Sequence, residues 1–462
     1  MIAPVPRWLR KNRYGLFSLA LLVGLGAGIG ALLFRGLVFG ITWLATGHAE
    51  FGQDGHVPSD HLSGLGLGFY LVIPILGGLV YGPLVYRWAR EARGHGVPEV
   101  MVAVAEGGGK IRPRVAIVKA LASALTIGTG GSVGREGPIV QIGAALASAI
   151  GQGTRQPAGR LRILVACGAA GGISATFNAP ITGVFFGAEI ILREISAGSL
   201  FAIMLSAMVA DAVVRPILGT DAFLTGFPHT ATLGHTADFA LVAVLAVIAA
   251  LVGQLFRSIL YALEDACDKV WGGRPEWARP AVGGILLGIL LLAVPQMYGV
   301  GYPVMFQALH GDYGFWMLLF FVLAKILATS LSLGIGGSGG VFAPSLFIGL
   351  MLGTAYGLIA HQLFGDAAGD PAVYAAIGMG GVFASGTRAP LTAFASVVEM
   401  TGDVSLVLPV MLTTAIATVV SRSVSYGTIY TTKLLRRGQD IEKLQDRQYR
   451  HLLGGGNDPS AA

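Results

Sequence analysis

The stretch "VKALASALTIGTGGSVGREGPIVQIG" (118–143) is an apolar run that breaks into glycines, sets Arg135 beside Glu136, and resumes after Pro138. The second half of the chain repeats it as "AKILATSLSLGIGGSGGVFAPSLFIG" (324–349). Without a gap, Lys119 falls on Lys325, Gly128 on Gly334, Ser132 on Ser338, Gly134 on Gly340, Pro138 on Pro344 and Gly143 on Gly349. Upstream, "GHGVP" (94–98) faces "GVGYP" (299–303). Downstream, Ala179, Pro180, Thr182 and Glu189 recur as Ala389, Pro390, Thr392 and Glu399. Unrelated apolar helices would share leucines and alanines; they would not keep a lysine, two prolines and a glutamate in order. The chain is two related halves, roughly 14–215 and 238–432. Periodicity leaves open whether they run parallel or inverted.

The setting is a membrane. Of 462 residues 54% are apolar and only 12% charged, about half the charged fraction of a soluble domain. Stretches 14–46, 65–86, 238–256 and 281–295 approach or exceed the roughly 20 residues that cross a bilayer as helix. No polar linker divides the chain, so the expected fold is an all-α polytopic membrane protein. One transmembrane domain at 14–432 lies between a cytoplasmic segment 1–13 and a cytoplasmic tail 433–462. Arg7, Arg10, Lys11 and Arg13 precede the first apolar run, and Lys433, Arg436, Arg437, Lys443, Arg447 and Arg450 follow the last. Short basic flanks stay inside, which predicts cytoplasmic termini in a bacterial-type inner (plasma) membrane. The first apolar run is too long for a signal peptide and lacks a clear cleavage site. The net charge of +6 reads as topology and not as nucleic-acid binding. Cys167 and Cys267 make no disulfide or metal pattern, and no cofactor is expected.

Glycines and prolines interrupt both halves at corresponding places, the mark of broken helices that meet near the midplane around a transport site. "GHGVPEVM" (94–101), "GREGPIVQIG" (134–143) and "GGVFAPSLFIG" (339–349) each place proline at or near a first helical turn. Such a start offers free backbone N–H groups and about half a positive charge. Three of them converging make an anion site without full charges, which would hold the ion too tightly to release it. Glu136 is itself an anion at a helix start, so it can occupy the transported ion's place until protonation releases it. The alternative is an ion pair with Arg135 or Lys119. The membrane-embedded Lys119 and Lys325 are expected to hydrogen-bond loop carbonyls.

Taken together, "GREGP" (134–138), "GVFAP" (340–344), "GHGVPEV" (94–100) and "EMTGDVSLVLPVML" (399–412) resemble the CLC chloride channels and proton/chloride antiporters over nearly the whole chain. The resemblance implies an inverted-repeat fold of about 18 tilted or broken helices, assembled as a homodimer with a pore in each subunit. It implies that Glu136 is the gate and that the backbone of Val341 and Phe342 binds the central anion. Tyr430 is the expected hydroxyl donor, with Tyr426 the second candidate. Around these, His95, Gly96, Arg135 and Gly137 complete the candidate anion-binding set.

Two positions depart from the family pattern. The first loop usually carries a coordinating serine where His95 stands; an imidazole can donate to the ion, titrate near neutral pH or leave coordination to the backbone. Antiporters usually carry an internal proton-transfer glutamate one residue after the position of Glu189, and here that residue is Ile190. An apolar residue there is typical of the channels, which leaves Glu189 and Glu194 as weak proton-pathway candidates. The expectation is a pH-gated chloride channel; the alternative is a proton-coupled chloride antiporter lacking the usual internal glutamate. Other small anions are candidate cargo. An intramembrane enzyme using His95 with Glu99 or Glu136 would need a nucleophile or metal cluster, and no His-Glu-x-x-His spacing occurs. The tail after Tyr430 is shorter than the regulatory domains some relatives append.

Overall fold

The computed structural model describes residues 7–224, 227 and 238–443; the tail cations Arg447 and Arg450, and residues 1–6, lie outside the described residues. Its regular structure is helical, with 18 α-helices among the described residues. Among the described residues, nine helical segments are long and apolar enough to cross a membrane. The four apolar stretches read from sequence become helices Arg13–Thr46, Phe69–Trp88, Asp238–Trp271 and Arg279–Ala293. Helix Asp238–Trp271 runs past its apolar stretch because Glu264, Asp265, Asp268 and Lys269 continue it as a polar extension. At 34 residues, helix Arg13–Thr46 is roughly 51 Å long, more than a bilayer core, so it must tilt. It buries Ala20, Val23, Ala27 and Ala31 and turns Leu21, Leu22, Leu25, Ile29 and Leu33 outward. Small residues inward and leucine outward is how a helix packs on neighbours while facing lipid.

The two halves meet through reciprocal contacts. Gly134 N–H donates to Gly340 O at 2.8 Å, and Gly340 N–H donates to Gly134 O at 2.6 Å. Ser132 N–H donates to Ser332 Oγ at 3.0 Å, and its twin, Ser338 N–H, donates to Thr126 Oγ1 at 3.2 Å. Residue i meeting j while j's twin meets i's twin is the signature of a two-fold axis. The same exchange recurs at the broken helices Pro180–Phe185 and Pro390–Thr401. Glu399 accepts from Ile181 N, Thr182 N and Thr182 Oγ1 at 2.9, 2.6 and 2.7 Å. Glu189 accepts from Leu391 N, Thr392 N and Thr392 Oγ1 at 3.2, 2.8 and 2.7 Å. Each half therefore caps the other's broken helix with a carboxylate, satisfying first-turn N–H groups that lipid could not.

Candidate anion and proton site

Each sequence-predicted helix start forms. Gly96, at φ 81°, precedes helix Val97–Ala105 with Pro98 in its first turn. Helix Glu136–Gly153 begins on Glu136 itself, and helix Phe342–Phe364 follows Val341. A fourth start, helix Tyr302–Leu309, is the repeat twin of the first and follows Gly301 at φ 95°. Positive φ at Gly96 and Gly301 is a conformation that glycine adopts without strain.

The first three starts converge backbone to backbone. Gly94 N–H donates to Gly337 O at 3.1 Å and Gly339 N–H to Gly94 O at 3.2 Å, joining the first loop to the third. The Gly134–Gly340 pair joins the second to the third. Gly137 is squeezed between the His95 carbonyl and Gly340, whose Cα would lie 2.9 Å from a Cβ at position 137. Two buried lysines secure the loops. Lys119 Nζ donates to Ala92 O at 3.0 Å and Gly94 O at 2.6 Å. Lys325 Nζ donates to Ser132 Oγ at 2.9 Å, Val300 O at 2.8 Å and Gly299 O at 3.3 Å. Both lysines thus hold loop oxygens, as the sequence suggests.

Glu136 is buried at 1% exposure. Its Oε2 accepts from Ala343 N–H at 3.3 Å, in the first turn of helix Phe342–Phe364, and its Oε1 accepts from Tyr302 O–H at 2.6 Å. The carboxylate of one half thus lies on the helix start of the other, where an anion would bind. Its hydrogen bonds go to Tyr302 and Ala343 and not to Arg135 or Lys119. Phe342, the repeat twin of Glu136, has its ring against Phe177 and Phe383 at 5.2 and 4.5 Å between centroids. That leaves the third helix start to present backbone alone.

Among the described residues, two of the cavities near this junction bear on its chemistry. One, about 270 Å³, is lined by Arg35, Arg135, Phe223, Tyr298 and Tyr302. Arg135 directs its guanidinium here, 5.0 Å from the Tyr302 ring centroid and 5.7 Å from that of Phe223. It gives this cavity positive charge and does not join the three-loop junction. The other, about 580 Å³, is lined by Met101, Glu189, Ile190, Arg388, Arg422, Tyr426 and Tyr430. The segment Asn178–Arg193 begins at the first cavity and ends at the second. Tyr430 is buried, with its ring 6.3 Å from that of His95. Tyr426 is exposed, its hydroxyl 3.0 Å from Asp440. His95 is buried, and its Nδ1 has no hydrogen-bond partner among the described residues. Glu189 reaches the second cavity with both oxygens occupied by the cap, and Glu194 is exposed outside it. Among the described residues no cluster of His, Cys, Asp or Glu could hold a metal.

A family profile described as voltage gated chloride channel matches residues 77–422. The chain belongs to the CLC family. It is 33% identical over 449 residues to an H(+)/Cl(-) exchange transporter ClcA of Vibrio cholerae, covering 95% of this chain and 92% of that one. It is 31% identical over 386 residues to a protein named as ClcB-like chloride channel from Ralstonia nicotianae, covering 81% and 87%. The crystal structure of a slow cyanobacterial Cl-/H+ antiporter superposes with a TM-score of 0.79 at 25% identity, covering 91% and 97%. The chain is thus an integral, multi-pass CLC anion transport protein with that family's inverted-repeat helical fold.

Tyr302 is the site residue that sequence reading missed. Its signal was present: Tyr302 precedes Pro303 in "GVGYP", the twin of the loop carrying His95. A phenol O–H stabilises a carboxylate by roughly 1.5–3 kcal/mol. Tyr302→Phe removes it from the ionised form, so Glu136 protonates at higher pH. The pH of half-maximal anion flux is expected to rise by about one unit, read from flux–pH profiles of reconstituted protein.

Proposed function

We propose that this CLC protein exchanges chloride for protons, with Glu136 as both gate and proton carrier. One observation carries the reading: the Glu136 carboxylate lies on the Ala343 N–H at the start of helix Phe342–Phe364. Ion and carboxylate compete for that helix end. Protonation removes the charge that holds Glu136 there, so each proton bound frees a place for an anion, and each anion bound favours the displaced, protonatable carboxylate. The relatives named as exchange transporters support exchange over the passive channel read from Ile190. In this reading His95, Gly96, Gly137, Val341, Phe342 and Tyr430 surround the central anion, and Arg135 draws anions into its cavity. The Tyr430-side cavity faces the cytoplasm, because Lys433, Arg436 and Arg437 follow Tyr430 directly. The protein works as a homodimer in a bacterial plasma membrane.

The test is the reversal potential of reconstituted protein under combined chloride and pH gradients. Exchange shifts it away from the chloride equilibrium potential as the pH gradient grows. A value fixed at the chloride potential whatever the pH would restore the channel.

A further inference from the structure

Exchange must pass a proton between the Tyr430-side cavity and Glu136, and a titratable side chain on that path is a ready carrier. The carboxylates lining that cavity are engaged. Both Glu189 oxygens cap helix Pro390–Thr401, and Glu442 accepts from Thr431 Oγ1 at 3.3 Å and lies 3.8 Å from Arg388. Ile190 offers nothing to titrate. Beyond Tyr430 the next titratable ring is His95, 2% exposed and with Nδ1 unpartnered. Its own carbonyl abuts Gly137, the residue after Glu136.

The neighbouring tyrosine and the nearby cations are committed. Tyr261, 6.5 Å away by ring centroid, donates its hydroxyl to Ile429 O at 2.6 Å. Lys119 holds Ala92 and Gly94. Lys433 lies 3.8 Å from Glu264, and Arg437 lies 2.7 Å from Glu99. Cations flank the residue on both sides: Lys433 Nζ would lie 2.7 Å from a Cβ at Gly94, and Lys119 Cε 3.2 Å from one at Gly96. A proton added to the ring is therefore repelled unless an anion sits beside it.

We propose that His95 carries the proton between the Tyr430-side cavity and Glu136, and that it takes the proton only together with an anion bound next to it. This rests on the exchange reading above. A proton leaves water in the cavity for the free imidazole nitrogen, giving imidazolium. That N–H bond then breaks as an O–H bond forms on the Glu136 carboxylate, and the ring returns to neutral. The step runs through water, along the short path set by the His95 backbone abutting Gly137, the residue after Glu136.

The experiment measures chloride and proton fluxes together in liposomes for wild type, His95→Gln and Glu136→Gln. His95→Gln keeps an amide of similar reach but cannot titrate, and its proton-to-chloride ratio is expected to fall at least about tenfold. A second measurement uses detergent-solubilised protein in weakly buffered solution near neutral pH. Adding chloride to Glu136→Gln should draw protons from solution, and the double variant with His95→Gln should draw none. A wild-type ratio in His95→Gln, or no uptake in Glu136→Gln, overturns the assignment of His95 and leaves exchange standing. Chloride flux without coupled protons in the wild type overturns exchange, and this inference with it.

Discussion

Glu136→Gln is expected to lose the pH gate, keeping only the shallow pH dependence of anion binding linked to His95, and to lose coupled proton movement by at least about 100-fold. The reason is electrostatic and local. Helix Phe342–Phe364 presents its first-turn N–H groups to whichever anion is nearest, and in the structure that anion is the Glu136 carboxylate, 3.3 Å from Ala343 N. Glutamine has the same length but no charge, so it competes poorly with chloride for the helix end at any pH. The Tyr302 hydroxyl, 2.6 Å from Oε1, loses a charged acceptor and falls back to a weaker neutral one. Parallel chloride and proton electrodes on one liposome preparation read both quantities. Unchanged pH dependence in the variant would remove Glu136 from the gate.

Glu399→Ala and Glu189→Ala are each expected to destabilise the fold by roughly 2–4 kcal/mol, since each strips partners from two backbone N–H groups and a threonine hydroxyl in the membrane domain. The contacts concerned are Glu399 with Ile181 and Thr182, and Glu189 with Leu391 and Thr392. The symmetry sharpens the expectation: the two variants should cost similar amounts, whereas Thr182→Val or Thr392→Val removes only the hydroxyl and should cost about 1 kcal/mol. Thermal unfolding of detergent-solubilised protein gives the ranking. A Glu189→Ala protein as stable as wild type would show that its carboxylate is available for another task, and would return it to the proton pathway.

Much was legible in the sequence because membrane folding leaves few solutions. Apolar length sets the spans, and glycine with proline marks where helices break. A repeat that keeps Lys119 and Lys325, Pro138 and Pro344, Glu189 and Glu399 in register points to two related halves. The helix starts at Gly96, Glu136 and Phe342 follow from local rules of proline placement and glycine φ. Those rules act over a few residues, so one sequence suffices to apply them.

Partner choice across the two-fold axis was not legible in that way. Nothing local says that Glu189 and Glu399 exchange places to cap each other's helices, or that Arg135 turns into the cavity away from the loops. Nor does it say that Tyr302 finds the carboxylate 166 positions away in sequence, or that His95 is left with an unpartnered nitrogen. Sequence fixes which groups can donate, accept or titrate. Which meet is decided by where two twisted halves bring their helix ends, because hydrogen bonds and charge interactions fall off within a few ångströms and only the assembled backbone sets those distances.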